Sequence, residues 1–202
     1  MLLNIPFYSN AFKDCGPVSL QMVLEFFDEK YDLERIRQLV DPETGGGTWT
    51  IGIAKAAAQL GFKVEFYTKH LGINPKSYKL DFYKKETSGI KESKERLQRI
   101  TKECLKLGVK LNETRLSLDE ILSKINNDCV PIILIDWNMF IDNKGYQGHI
   151  LPITGYDNKY IYVHQPGPMN PRTNFPIEKG LFNKARKAKG TDEDVVFIHK
   201  KV

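Results

Sequence analysis

A cysteine set where a loop turns into an apolar helix constrains this chain more than any other feature. Asp14-Cys15-Gly16-Pro17 is followed by Val18-Ser19-Leu20-Gln21-Met22-Val23-Leu24-Glu25-Phe26-Phe27, which reads as one buried helix. Pro17 fits a first helical position, because its missing N–H is an orphan there in any case. Cys15 then lies at the positive end of a helix dipole, a position that favours the nucleophilic thiolate over the thiol. A free cysteine can equally be a small buried hydrophobe. What favours chemistry is a candidate base downstream, Gly148-His149, at the start of an alternating apolar run preceded by turn residues.

A chain of 202 residues most simply makes one domain, 1–202, here with a charged insertion at about 70–114. The formal net charge is a modest +5. Lysines concentrate in 84–106 and 179–189 without aromatic residues interleaved in the pattern of a stacking platform, so these runs read as solvated helix faces and no nucleic-acid partner is expected. Cys15, Cys104 and Cys129 have neither metal-ligand nor CxxC spacing and cannot all pair with one another. This points to a reducing compartment, with no metal and no cofactor. The start of the chain lacks a basic, apolar signal pattern, and no stretch approaches the run of about 18 apolar residues that a membrane span needs. A cytoplasmic protein is the expectation.

Residues 4–14 read as an extended approach to the cysteine helix, with Pro6 holding Ile5 away from helical geometry. Leu33, Ile36, Leu39 and Val40 recur at helical spacing behind Asp32 as N-cap. Gly45-Gly46-Gly47 is permissive backbone, either shaping a cleft or leading into the small-residue helix of Trp49 to Leu60; it is not a phosphate loop. Phe62–Tyr67 alternates as a strand. Within the insertion, 71–78 is loop-like and Ser93 to Leu107 is a charged helix with Leu97, Ile100, Cys104 and Leu107 on one face. Val109–Asn112 reads as an edge strand, and Ser117-Leu-Asp-Glu120 as a capping box. Cys129 stands in the turn before a buried strand, Ile132–Asp136. His149–Tyr156 and Tyr160–Gln165 form a hairpin, Phe175–Phe182 leads into a basic helix-like segment, and Val195–His199 is a closing strand. Early helices and late strands indicate an α+β domain.

Ile5-Pro-Phe-Tyr-Ser, Asp14-Cys15-Gly16-Pro17-Val-Ser-Leu-Gln-Met-Val-Leu, Gly46-Gly47-Thr48, Leu60-Gly61-Phe62, Gly148-His149, Thr154-Gly155-Tyr156-Asp157 and the strand ending in Pro166 together resemble the C39-like peptidases. These are papain-fold cysteine hydrolases related to the domains that trim leader peptides at double-glycine sites, and the match spans most of 4–198 outside the insertion. The resemblance implies a papain-like fold, with Cys15 on a central helix of an N-terminal helical half and His149 on a C-terminal antiparallel sheet. It implies a thiol protease in which His149 takes the proton of Cys15 and the thiolate attacks a peptide or amide carbonyl. Asn10 matches the family's oxyanion-binding glutamine, one methylene shorter. Where the family ends its hairpin with Asp-Pro this chain has Gln165-Pro166. An amide can orient the imidazole but brings no charge to the imidazolium. Two alternatives to a peptidase or amide hydrolase therefore stand: a papain-like acyl transferase or cyclase, and a peptide-binding module without turnover. The insertion is the expected source of specificity or of a surface for a protein partner.

Overall fold

The computed structural model describes residues 1–9, 13–141 and 143–201. Asn10, the expected oxyanion donor, lies outside the described residues.

Three helices form the first half: α1 (Cys15–Phe26), α2 (Leu33–Val40) and α3 (Thr50–Gln59). Helix α1 is apolar on nearly every side, with Val18, Leu20, Met22, Val23 and Leu24 all buried, so it runs through the middle of the molecule. Pro17 falls at its third residue rather than its first, still within the turn whose N–H groups need no intrahelical partner. Helix α3 presents buried Ala54, Ala56 and Ala57, and a Cβ on Gly52 would lie 2.3 Å from the Val40 carbonyl oxygen, so only glycine lets α3 meet the end of α2 this closely.

Strands β1 (Lys63–Thr68), β2 (Lys110–Glu113), β3 (Cys129–Asp136), β4 (Gly148–Tyr156), β5 (Tyr160–Gln165), β6 (Arg172–Glu178) and β7 (Val195–His199) make one sheet of order β2-β1-β7-β3-β4-β5-β6. The sheet is not wholly antiparallel and not wholly C-terminal: β1 pairs in parallel with β2, and antiparallel with β7. Strand β3 is buried along its whole length, as its continuous apolar run requires, and includes Cys129 as its first residue. The hairpin β4–β5 carries a bulge between Ile153 and Gly155, where Leu2 bridges to Gly155 and the Leu3 N–H donates to the Thr154 carbonyl at 2.7 Å. The stretch Phe175–Phe182, read from sequence as the approach to a helix, begins instead within the edge strand β6; its Pro176 is tolerated because an edge leaves one row of N–H groups outside the ladder. Helix α7 (Lys179–Ala185) follows it.

Segment 70–114, expected from sequence to be an insertion, packs on the helices of the first half and adds an edge strand to the sheet. It contributes α4 (Asp81–Glu86), α5 (Ile90–Lys106) and β2, and the capping box at Ser117 and Glu120 then opens α6 (Leu118–Ser123). Asp41, at the end of α2, receives Arg96 at 2.6 Å and Arg99 at 2.7 Å from α5, and Lys55 of α3 lies 3.5 Å from it. Among the described residues no helix is long and apolar enough to cross a membrane.

Candidate active site

Cys15 is the first residue of α1 and is half-buried, whereas Cys104 and Cys129 are fully buried. Helix α1 packs against β4, and Ser19 Oγ donates to the Ile150 carbonyl at 3.0 Å. The Ile150 backbone N–H reaches the Cys15 thiol, which brings that thiol to the residue next to His149. Gly16 keeps this corner tight: a Cβ there would stand 3.2 Å from Thr48 Cγ2 and 3.3 Å from Ile53 Cδ1. Asp14, just before the helix, is held by Arg37 in a bidentate pair at 2.9 and 2.6 Å.

His149 and Gln165 meet at the end of the hairpin. His149 Nε2 lies 3.1 Å from Gln165 Oε1, and both side chains are buried. The neighbouring bonds settle the chemistry of this contact. The Gly167 backbone N–H, which can only donate, points at Gln165 Oε1 at 2.6 Å. On the other side Gln165 Nε2 donates to the Met169 carbonyl at 2.6 Å and the Asn170 carbonyl at 3.4 Å. The amide therefore cannot be turned over, its oxygen faces the imidazole, and Nε2 of His149 carries the hydrogen. In the neutral ring Nδ1 is then the proton acceptor. Trp137 packs on the imidazole with ring centres 5.1 Å apart.

Burial sets the electrostatics. It pushes the Cys15 thiol above its ordinary range, while the backbone N–H groups of Ile150 and Gly16 pull it back and the Asp14 carboxylate adds to the rise. It also lowers His149 to about 4, against the opposing hydrogen bond from Gln165. Burial thus opposes the thiolate that the helix terminus favours: the N-terminal dipole pulls the thiol down while desolvation pushes it up.

These groups open into a cleft of about 390 Å3. One wall comes from the helical half and the insertion: Glu43, Trp49, Phe82, Tyr83, Lys85 and Glu86, with Lys13. The other comes from the sheet half and includes Trp137, Ile141, Gly148, Gln165 and Met169. The glycine run serves this architecture. A Cβ on Gly45 or Gly47 would lie 3.0 Å from the Glu86 carbonyl oxygen, so these glycines admit the end of α4, and Lys13 Nζ ties the same place together by bonding Glu86 at 2.8 Å and the Gly45 carbonyl. Gly148 has a similar origin: its Cβ would meet Tyr146 Oη at 2.9 Å and Phe82 at 3.1 Å. Tyr83 stacks between Trp49, at 5.5 Å, and Tyr146, at 5.8 Å. Trp49 and Trp137 both line the cleft.

Sequence reasoning missed Phe82, Tyr83, Glu86, Tyr146 and Met169. The cluster Tyr78, Phe82, Tyr83 inside a charged insertion was a usable signal, since aromatic residues in a solvated segment need something to cover. The remaining histidines lie away from this contact in hydrogen bonds of their own: His70 Nε2 to the Ile73 carbonyl at 3.1 Å, His164 Nε2 to the Ile5 carbonyl at 2.9 Å, and His199 Nε2 to Glu65 at 2.9 Å. Asp157 is spent in its turn, accepting from the N–H groups of Lys159 and Tyr160.

Fold and cleft together define a class, the papain-like fold of C39 peptidase domains. The chain is similar in structure to the peptidase domain of Streptococcus ComA, a bi-functional ABC transporter involved in quorum sensing, with a TM-score of 0.53, 17% identity and 98% of each chain covered. It is similar also to a double-glycine-motif protease from an AMS/PCAT transporter solved with a leader peptide, with a TM-score of 0.52 and 16% identity over 98% of this chain and 94% of that one. At these identities the likeness is one of fold. Within that class the chain belongs to the guanylylate cyclase family, whose model matches residues 6–198. Guanylyl cyclase 1 of Arabidopsis thaliana is 24% identical, over 92% of this chain and 72% of that protein. The resemblance to C39-like peptidases thus holds for the fold, while family membership lies elsewhere.

Proposed function

We propose that this protein is a cysteine hydrolase of peptide or amide bonds. Cys15 is the nucleophile, His149 Nδ1 takes its proton as the acyl-enzyme forms and returns it to the leaving amine, and Gln165 is the positioning residue that fixes the imidazole. Asn10 is assigned the oxyanion. The observation that carries the reading is the locked Gln165 amide, whose oxygen dictates an Nε2–H imidazole beside the cysteine at the head of α1. The leader peptide held by a protein of this fold supports a peptide substrate.

The name of the Arabidopsis relative would make the substrate a guanine nucleotide. In the cleft Lys13 is paired with Glu86, and a locked amide, an imidazole and a cysteine are the features of acyl chemistry. The uncharged orienter favours two further readings, a peptide-binding module and an amine-accepting transferase of the same fold.

Iodoacetamide labelling read by peptide mass mapping is the test. Cys15 reacts ahead of Cys104 and Cys129, both of which burial pushes up to about 12, and His149→Ala slows Cys15 alone. Indifference to His149 would overturn the reading. Turnover of a peptide mixture by the native chain and not by Cys15→Ala marks the hydrolase, new amide products mark the transferase, and binding retained in Cys15→Ala without turnover in either form marks the module.

A further inference from the structure

The two walls of the cleft differ in kind. Lys13, Glu43, Lys85 and Glu86 put charge on the helical wall. On the sheet wall His149 is the single ionisable side chain among the described lining residues, and the uncharged amides of Asn138, Asn143, Gln147 and Gln165 share that wall with the apolar Trp137, Ile141, Pro168 and Met169. Two of these are unusually open for apolar groups: Met169 is 72% exposed and Ile141 46%. The Met169 carbonyl accepts from Gln165 Nε2, and Ile141 follows the 3-10 turn Trp137–Phe140, which Asp136 caps by accepting from the N–H groups of Asn138 and Gln147. Apolar side chains held open on the wall of a cleft that Cys15 and His149 also line are a surface waiting to be covered.

We propose that Met169 and Ile141 are specificity-determining residues that cover a large, uncharged apolar side chain of the substrate next to the bond attacked. The proposal rests on the hydrolase reading above. Trp137 forms the floor of this subsite, and the flexible, polarisable Met169 accepts leucine-, methionine- or phenylalanine-like shapes without a unique fit. A carboxylate or ammonium placed there would lose water and gain no counter-charge. The substrate's polar or charged portions face the opposite wall.

The test uses three alkylating reagents with one warhead on the intact chain: iodoacetamide, N-phenethyl iodoacetamide and N-(2-carboxyethyl) iodoacetamide. The rate at Cys15 is read for each by mass mapping. Taking the ratio of tailed to untailed reagent cancels any change in the thiol's own reactivity. In the native protein the phenethyl ratio is about tenfold in favour of the tail and the carboxyethyl ratio is below one. Met169→Glu and Ile141→Glu, at solvent-open positions with thermal midpoints checked against the parent, bring the phenethyl ratio to about one, and Met169→Leu restores it. A native phenethyl ratio near one, or a ratio that survives both glutamates, overturns the subsite while leaving a His149-dependent Cys15 in place. Loss of that His149 dependence would instead overturn the hydrolase reading beneath it.

Discussion

Replacing Gln165 by glutamate looks like a repair, because it supplies a carboxylate where C39-like peptidases carry an acid, yet the structure predicts damage. Glutamate keeps one oxygen where Oε1 now accepts from His149 and from Gly167 N–H. Its second oxygen replaces Nε2 and faces the Met169 carbonyl at 2.6 Å and the Asn170 carbonyl at 3.4 Å. Two donated bonds vanish, at about 1 kcal/mol each, and a buried oxygen facing two acceptors adds about 1–3 kcal/mol of unrelieved desolvation. The charged variant is therefore less stable than the parent by at least about 3 kcal/mol. A protonated carboxyl escapes most of this, since its O–H can donate to the Met169 carbonyl as the amide does.

That difference fixes the pH dependence. The acid's pKa in the folded variant lies above its unfolded value of about 4.3, so the deficit is smallest below that value and reaches full size once pH has risen through the folded pKa. Urea unfolding of parent and Gln165→Glu at pH 5 and pH 8 measures it: nearly matched midpoints at pH 5 and a deficit of at least about 3 kcal/mol at pH 8. Equal stability at pH 8 would show that the Met169 and Asn170 carbonyls do not hold the amide. The argument for the imidazole tautomer would then lose its footing.

Gly148→Ala forces a Cβ into the 2.9–3.1 Å space held by Tyr146 and Phe82, which costs about 1–3 kcal/mol in thermal melts and slows Cys15 alkylation, because the residue adjoining His149 is displaced. Asp194, half-buried beside Trp49 and Tyr83 with Oδ1 lacking a hydrogen-bond partner, is raised to about 7 by desolvation. Its folded pKa exceeds the unfolded one, so the native chain loses stability as pH climbs from about 4 through 7, and Asp194→Asn is the more stable protein at pH 8 by about 4 kcal/mol with little advantage at pH 4. Equal melting curves at pH 8 would refute that.

How much of this could be read in advance differs residue by residue. Cys15, His149 and Gln165 each sit at a boundary that short-range sequence marks: a helix start, a strand start after turn residues, and a strand end before Pro-Gly-Pro. Local pattern therefore marks Cys15 and His149, and the resemblance to the C39-like peptidases adds Gln165 and joins the three. The six-residue α4 was illegible because so short a helix shows no period and buries only Tyr83. Strand β6 was hidden by its exposed pattern and Pro176. The roles of Gly45, Gly47 and Gly148 could not be deduced at all, since their reason is Glu86 and Phe82 arriving from another part of the chain. The protonation state of Cys15 failed for the same cause: a helix terminus can be read from sequence, but desolvation is a property of the packed site.

That last point determines how the proposed chemistry depends on pH. With Cys15 raised and His149 at about 4, the free protein holds a thiol beside a neutral imidazole across the whole neutral range. The base is lost only when His149 gains a proton, so the acid limb of Cys15 alkylation falls near pH 4 and not near the ordinary histidine value of about 6.5. Above that limb the rate climbs with pH, without the plateau that a preformed thiolate–imidazolium pair would give. Stability follows the opposite face of the same shift. A histidine whose folded pKa is depressed binds a proton more readily when unfolded, so the fold loses stability as pH falls from about 6.5 through 4. Rate and unfolding profiles between pH 3.5 and 9 check both at once. An alkylation limb at pH 6 to 7, followed by a flat region, would mean that the buried imidazole is charged at rest, and the neutral Gln165 would then be holding an imidazolium that the geometry gives it no charge to balance.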